Sequence, residues 1–404
     1  MGRPDEDLLP DNLNRPRRQQ FGRFHFQVGI LALCLSFATI PSFLVSQFPL
    51  LVSDINVSTP LTVGCILPSF QRYKHHVLTL DDFIEESKKV QSLARVILWP
   101  EGAVTFSNAS ERDEGLQLVR ESFQGVYTGV SFEETIDDPR DLTGRTSIRR
   151  TGIAIVSKDF EPQIYYKRHL VPCECDLLRY FFRVVDSITT NFPVAESFSL
   201  DHSSTPPSIF EMELVSPKDV NKTEWAPEPH HTRTIPLTSS ICLDFAFPSQ
   251  FAGLTSRPAL ILAPARTWER TVGHAMWLQA RQRAAELQSI VLWCDGGEGG
   301  VSGVAGRGFN DVVQVGSGSF VRNIGIPYPF NDQKTYFARF GDAILILFWI
   351  FVFVPGQINF SAFTCTTSTL WTWVNMYRAR AGQYLWRPKN CARQNSTEPP
   401  NLLD

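Results

Sequence analysis

Excess charge of either sign is what this chain most plainly lacks. Its 38 Lys and Arg stand against 41 Asp and Glu, a formal balance of −3. Without a basic excess there is no electrostatic footprint for nucleic acid. Charged residues of both signs together make up only 20% of the chain, below the roughly 25% usual in soluble proteins. Metal-ligand spacing is missing too. Cys173 and Cys175 stand one residue apart, but no His or Cys follows them at zinc spacing, so no metal is expected. Charge vanishes altogether from two stretches, Phe26 to Ser53 and Ala343 to Tyr377.

Those two stretches set the expected organisation. About 20 helical residues cross a bilayer core of roughly 30 Å. "FQVGILALCLSFATIPSFLVSQFPLLVS" (26–53) is long enough, with Pro41 and Pro49 placed to kink or end it. "AILILFWIFVFVPGQI" opens a second segment, 343–376. Arg15, Arg17, Arg18 and Arg23 precede the first, and Arg378, Arg380, Arg387, Lys389 and Arg393 follow the second. Positive flanks stay cytoplasmic. The expected order is a basic cytoplasmic leader (1–25), a transmembrane anchor (26–53), a lumenal or extracellular domain (58–335), the second membrane segment and a polar cytoplasmic tail (377–404). Sequons at Asn56, Asn108 and Asn221 fit that placement. A cleaved signal peptide is the competing reading of the N-terminus. The long polar leader, the length of the apolar run and the lack of an A-x-A site argue against it. The eight cysteines permit disulfides on an oxidising side, with connectivity left open.

The middle region alternates strands and helices. "LTVGCIL" (61–67), "RVILW" (95–99), "GVYTGVSF" (125–132), "GIAIV" (152–156), "IPLTSSIC" (235–242), "PALILA" (258–263) and "SIVLW" (289–293) read as strands. Several are apolar at consecutive positions, the mark of strands covered on both faces. "LDDFIEESKKVQSLA" (80–94), with Asp81 as its cap, and residues 267–288 read as helices. The alternation predicts a layered α/β domain. Residues 187–233 are rich in Pro, Ser, Thr and His and read as a surface insertion, with one strand at "IFEMELV". His230 and His231 in it read as solvent-exposed residues.

Three strand ends carry chemistry. "ILWPEGAVTF" ends on Glu101, "IYYKRHLVP" on Lys167 and "SSICLDFAFP" on Cys242. Strand ends gather at one sheet edge, so a carboxylate, an ammonium and a thiol can share a pocket. A thiol of ordinary pKa is only a few per cent thiolate at neutral pH. A neighbouring carboxylate serves as its general base. Lys167 and the backbone N–H of Leu243 then stabilise the oxyanion of a thioester-forming attack. Taken singly, each residue also fits a bland role as loop acid, solvated amine or core thiol.

In that order, and in those local words, the chain resembles the carbon–nitrogen hydrolase, or nitrilase, superfamily. "WPE", "KRHLVP" and "ICLDFAF" match its words for Glu, Lys and Cys. "LQARQRAAEL" (278–287) and "GGVSGV" (299–304) are similar to the helix and strand that follow its nucleophile. "KRHLVP" and "TYFARFGDAILILFWIFVF" (335–353) resemble the bacterial apolipoprotein N-acyltransferase branch most closely. The resemblance covers residues 60 to 355 and implies a four-layer α-β-β-α sandwich with catalytic Glu101, Lys167 and Cys242. It departs at "VPCECD". There Glu174 lies one place before the branch's supporting Glu, and Cys175 occupies that place. Leu243 and Asp244 stand where the family often has an aromatic residue and a Glu. The bacterial enzymes carry several membrane helices ahead of the catalytic domain, and this chain has one such segment.

The expectation is therefore a membrane-anchored enzyme that forms a thioester on Cys242. It takes an acyl donor, lipid or amide, and passes the acyl group to an amine. No cofactor is implied, since thiol, carboxylate and amine suffice. Hydrolysis of a small linear amide and a catalytically silent membrane scaffold are the alternatives. A second copy of the chain is an expected partner, because relatives often pair.

Overall fold

The computed structural model describes residues 29–34, 36, 37, 40, 50, 54–69, 78–137, 147–170, 203–217, 220–227, 229, 231–341, 343 and 346. The chain divides into two units. Ala32–Ile344 is one, and Met1–Leu31 with Leu345–Asp404 is the other, almost wholly outside the described residues. The expected membrane segments fall mostly outside them as well. Among the described residues no helix is long and apolar enough to cross a membrane. Those described between 29 and 40 are helical, with Ile30, Leu33, Phe37 and Ile40 exposed.

Two mixed sheets make the centre of the larger unit. The first has the order β13-β1-β2-β4-β5-β6, with β3 also pairing to β4. Its strands are β1 (Ser58–Cys65), β2 (Val96–Leu98), β3 (Val104–Phe106), β4 (Tyr127–Asp137), β5 (Ser147–Ser157), β6 (Phe160–Tyr166) and β13 (Phe320–Pro327). The second runs β12-β11-β10-β9-β8-β7. It contains β7 (Phe210–Val215), β8 (Thr232–Ser239), β9 (Leu260–Ala265), β10 (Ile290–Asp295), β11 (Val301–Gly306) and β12 (Phe309–Val315). Parallel pairing joins β1, β2 and β4 in one sheet and β8, β9 and β10 in the other.

The consecutive apolar runs have a simple cause. In β2, Val96 and Leu98 pack toward the second sheet, while Ile97 and the following Trp99 pack toward helices. In β5, Ile153 and Ile155 face inward and Ala154 and Val156 outward in the same way. A period of two on a strand with both faces covered erases the polar alternation.

The helices complete four layers. α1 (Leu80–Val90) and α2 (Ala109–Ser122) cover the first sheet through Phe83, Ile84, Leu116 and Val119. α3 (Arg270–Leu287) covers the second through Met276, Trp277, Ala280, Ala284 and Leu287, spaced three and four apart. α1 corrects one expectation: its cap is Thr79, not Asp81. Asp82, three residues past Thr79, reaches back to accept from Thr79 N–H and Oγ1–H at 2.8 Å each, a reciprocal box that Asp81, one turn position earlier, cannot make. α2 had no periodic apolar signal, since it buries only Gly115, Leu116 and Val119.

The stretch read as a surface insertion is partly woven into the second sheet. β7 forms its edge, with Met212 and Leu214 inward and Glu211 and Glu213 outward. Trp225 is buried beneath Arg233, whose guanidinium lies 4.1 Å from the Trp225 ring and 3.6 Å from that of Tyr328. His231 Nδ1 sits 3.0 Å from Ala226 O, and His230 lies outside the described residues. One covalent tie spans the sheets. Cys65 at the end of β1 is bonded to Cys294 in β10, 229 residues away, and both are fully buried.

Candidate active site

The C-terminal ends of β2, β6, β8, β9 and β10 meet at one edge of the sandwich. Past β2 the chain runs Trp99-Pro100-Glu101 into a tight turn. Trp99 is pinned by its indole N–H to Ser87 Oγ at 2.9 Å. Gly102 follows at φ +62°, and a Cβ there would come within 2.9 Å of Glu133 Oε1. Only glycine turns the chain there without strain or collision. Glu101 is thus presented at the edge while remaining 9% exposed.

Lys167 comes from the end of β6, where its N–H donates to Thr151 O. Its ammonium donates to Glu101 Oε1 at 2.8 Å, and it is buried. Three consecutive residues of this strand end reach three different carboxylates. Tyr165 donates to Asp244 at 2.6 Å, Tyr166 to Glu134 at 2.6 Å and Lys167 to Glu101.

Cys242 opens a short 3-10 helix, Cys242–Ala246, directly past β8. Its φ is +45°, a region costly for any residue with a Cβ and held only where the surroundings over-determine it. A sharp strand-to-helix turn of this kind projects a nucleophile beyond its sheet. The sulfur is buried and accepts a hydrogen bond from the backbone N–H of Arg266. The carbonyl of that same peptide unit, Ala265 O, accepts from Glu101 N at 3.3 Å and Gly296 N at 3.0 Å. One peptide plane at the end of β9 therefore orients both the thiol and the loop carrying the carboxylate.

Burial pushes the Cys242 thiol well above its usual range. The negative charge of Glu101 adds to this, while Lys167 and the Arg266 N–H oppose it. At rest the thiol is neutral, beside a carboxylate.

Asp244, expected as a supporting group, is a structural clamp. It is fully buried. It accepts from Tyr165 OH, from Ile241 N at 3.3 Å, from Arg168 N at 3.2 Å and from His169 N at 2.8 Å, with His169 Nδ1 at 2.9 Å. It cinches the residues after Lys167 onto the turn that carries Cys242. Leu243 occupies the second position of that turn, among the first amides of a helix, which have no partner within it. Glu174 and Cys175 lie outside the described residues.

Two groups escaped the sequence reading. Asp295, at the end of β10, accepts from Thr267 N at 2.9 Å, Thr267 Oγ1 at 2.7 Å and Gly297 N at 3.1 Å. It holds the segment after Arg266 in place. The strand expected at "SIVLW" (289–293) ends two residues short of it, whereas β10 runs to Asp295 itself. Gln250 donates to Ser240 Oγ at 3.0 Å and to the Tyr165 phenol, and nothing in its local sequence signals this.

No protein-family model matches the chain, and no curated protein does. Solved structures do resemble it. A branch 10 member of the nitrilase superfamily from Saccharomyces cerevisiae is similar at 16% identity and a TM-score of 0.42, over 69% of this chain and 93% of that one. An amidase from Nesterenkonia sp. gives 16% and 0.40, over 72% and 96%. The glutamine-dependent NAD+ synthetase of Acinetobacter baumannii gives 10% and 0.40, over 70% and 50%. At this level of similarity, what the site can do is read from its own geometry.

Proposed function

We propose that the chain is a carbon–nitrogen hydrolase superfamily enzyme that carries an acyl group as a thioester on Cys242. The observation that carries this reading is the buried 2.8 Å Lys167–Glu101 pair, beside a thiol held at φ +45° with its sulfur on the Arg266 N–H. The Cys242 sulfur attacks the carbonyl carbon while Glu101 takes the thiol proton. The carbonyl electron pair moves to oxygen, and Lys167 with the Leu243 N–H donates to that oxyanion. Collapse expels the leaving group, which takes the proton from Glu101. An amine then attacks the thioester carbonyl and gives its proton to Glu101, and the sulfur leaves and is reprotonated. Transfer to an amine is the reading favoured by the "KRHLVP" words. Water in place of the amine makes the same site an amidase.

The domain is proposed to lie on the lumenal or extracellular side of a membrane, held by segments 26–53 and 343–376, with both termini cytoplasmic. Two observations support this. The buried Cys65–Cys294 bond belongs to an oxidising compartment. Asn56, Asn108 and Asn221 are all exposed, as acceptor sites must be. The decisive experiment is intact mass after incubation with phospholipid or with linear amides. An acyl-sized adduct on the wild type, absent from Cys242→Ala of equal thermal stability, supports the reading. No adduct from either donor class, with turnover equal in the two proteins, refutes it and leaves a silent scaffold. A mobility shift on glycosidase treatment tests the placement.

A further inference from the structure

The candidate trio is divided between the two sheets. Glu101 follows β2 and Lys167 follows β6 in the first sheet, whereas Cys242 follows β8 and the Arg266 N–H follows β9 in the second. The facing sides of the sheets share one apolar core, and apolar attraction is non-directional. It holds the sheets together without fixing their offset to a fraction of an ångström. A misplacement of about 1 Å at reacting atoms costs about 10²-fold in rate.

Lys167 and Cys242 are tied by Asp244, which joins the turn at Cys242 to Tyr165, Arg168 and His169. Glu101 is reached from the second sheet by a weaker contact, its N–H to Ala265 O at 3.3 Å, beyond the usual length of such bonds. The Cys65–Cys294 bond lies directly behind that contact. Cys65 is paired in register with Leu98, where β2 ends ahead of the Glu101 turn, and Cys294 with Pro264, the residue before Ala265. Cys294 Sγ lies 3.4 Å from Leu98 O, which also accepts from Ile66 N at 2.9 Å. Asp295, next after Cys294, fixes Thr267 on the far side of the Arg266 peptide.

We propose that Cys65 and Cys294 are positioning residues: their bond fixes the Glu101 turn against the Ala265–Arg266 peptide, and so the base against the thiol. The inference rests on the thioester reading, and it separates the two ties, Asp244 for Lys167 and the disulfide for Glu101.

The test replaces both half-cystines, as Cys65→Ala/Cys294→Ala and as the better-filled Cys65→Val/Cys294→Ala. Turnover of butanamide and peptide-resolved iodoacetamide labelling of Cys242 at pH 8 are measured on folded protein. The expected kcat falls about 10- to 100-fold with KM little changed. Labelling quickens, because a displaced Glu101 no longer holds the thiol's pKa up. In a Glu101→Gln background the same replacements leave the labelling rate unchanged, which a general loosening of the site would not. Wild-type kcat and labelling in the folded pairs, labelling that quickens equally with Glu101→Gln, or failure of both pairs to fold overturns the positioning role and makes the bond a staple of the fold. A wild type without turnover counts against the thioester reading, and the labelling comparison then decides the positioning role alone.

Discussion

Glu101 and Glu134 are both buried carboxylates on the first sheet side of the molecule, and they are satisfied in opposite ways. Glu134 is held by Arg112 at 2.7 Å, Arg150 at 2.5 Å and the Tyr166 phenol at 2.6 Å, with the Arg150 guanidinium stacked over the Tyr166 ring. Those guanidiniums are planar, rigid forks that never lose their charge. Glu101 faces an ammonium instead, a point charge on a flexible stem that can shed its proton when buried. The first arrangement freezes a strand end. The second leaves a carboxylate able to take a proton and a cation able to follow a developing oxyanion. Adjacent residues, Tyr166 and Lys167, serve the two.

Four measurements would break or sharpen that contrast. Glu101→Gln should lower kcat about 10³-fold by removing the base, with only a modest fall in melting temperature. Unchanged kcat would remove Glu101 from the mechanism. Glu134→Gln should do the reverse. It takes the carboxylate from Arg150 and leaves Arg112 with Asp113 alone, so urea unfolding should show a loss of about 3 kcal/mol, with kcat of the folded fraction nearly intact. A smaller loss from Glu134→Gln than from Glu101→Gln would invert the comparison. Tyr166→Phe removes two hydrogen bonds to charged groups, one donated to Glu134 and one accepted from Arg112, and should cost about 2 kcal/mol by the same assay.

The smallest effect concerns the thiol. Its pKa is raised in the folded protein, so the neutral form persists to higher pH than in a free cysteine. Iodoacetamide should therefore label Cys242 more slowly than a free thiol at pH 8, with a rate still climbing at pH 9. Glu101→Gln removes a negative neighbour and should speed the labelling. A rate plateau below pH 8 would contradict the raised pKa.

Much of the fold was readable from local pattern. All seven expected strands exist, with ends shifted by a few residues, and both expected helices form. What escaped detection had weak local signals. β3 is three residues long, α2 buries one narrow stripe, and β12 is exposed along most of its length. At the site, Glu101, Lys167 and Cys242 were nameable because their words recur together. Asp295, Gln250 and the Ala265–Arg266 peptide were not. Their roles lie in backbone hydrogen bonds to residues far along the chain, and a backbone amide has no letter of its own.

From its order of residues alone, this chain determined which segments are strands, which helices, and which three side chains are the candidates for its chemistry. Periodicity and side-chain type are local properties. Only the tertiary structure decided that Lys167 meets Glu101 across 66 residues, that Cys65 joins Cys294, and that one peptide plane orients thiol and base. Those contacts exist because two twisted sheets pack face to face and bring the ends of distant strands to one edge.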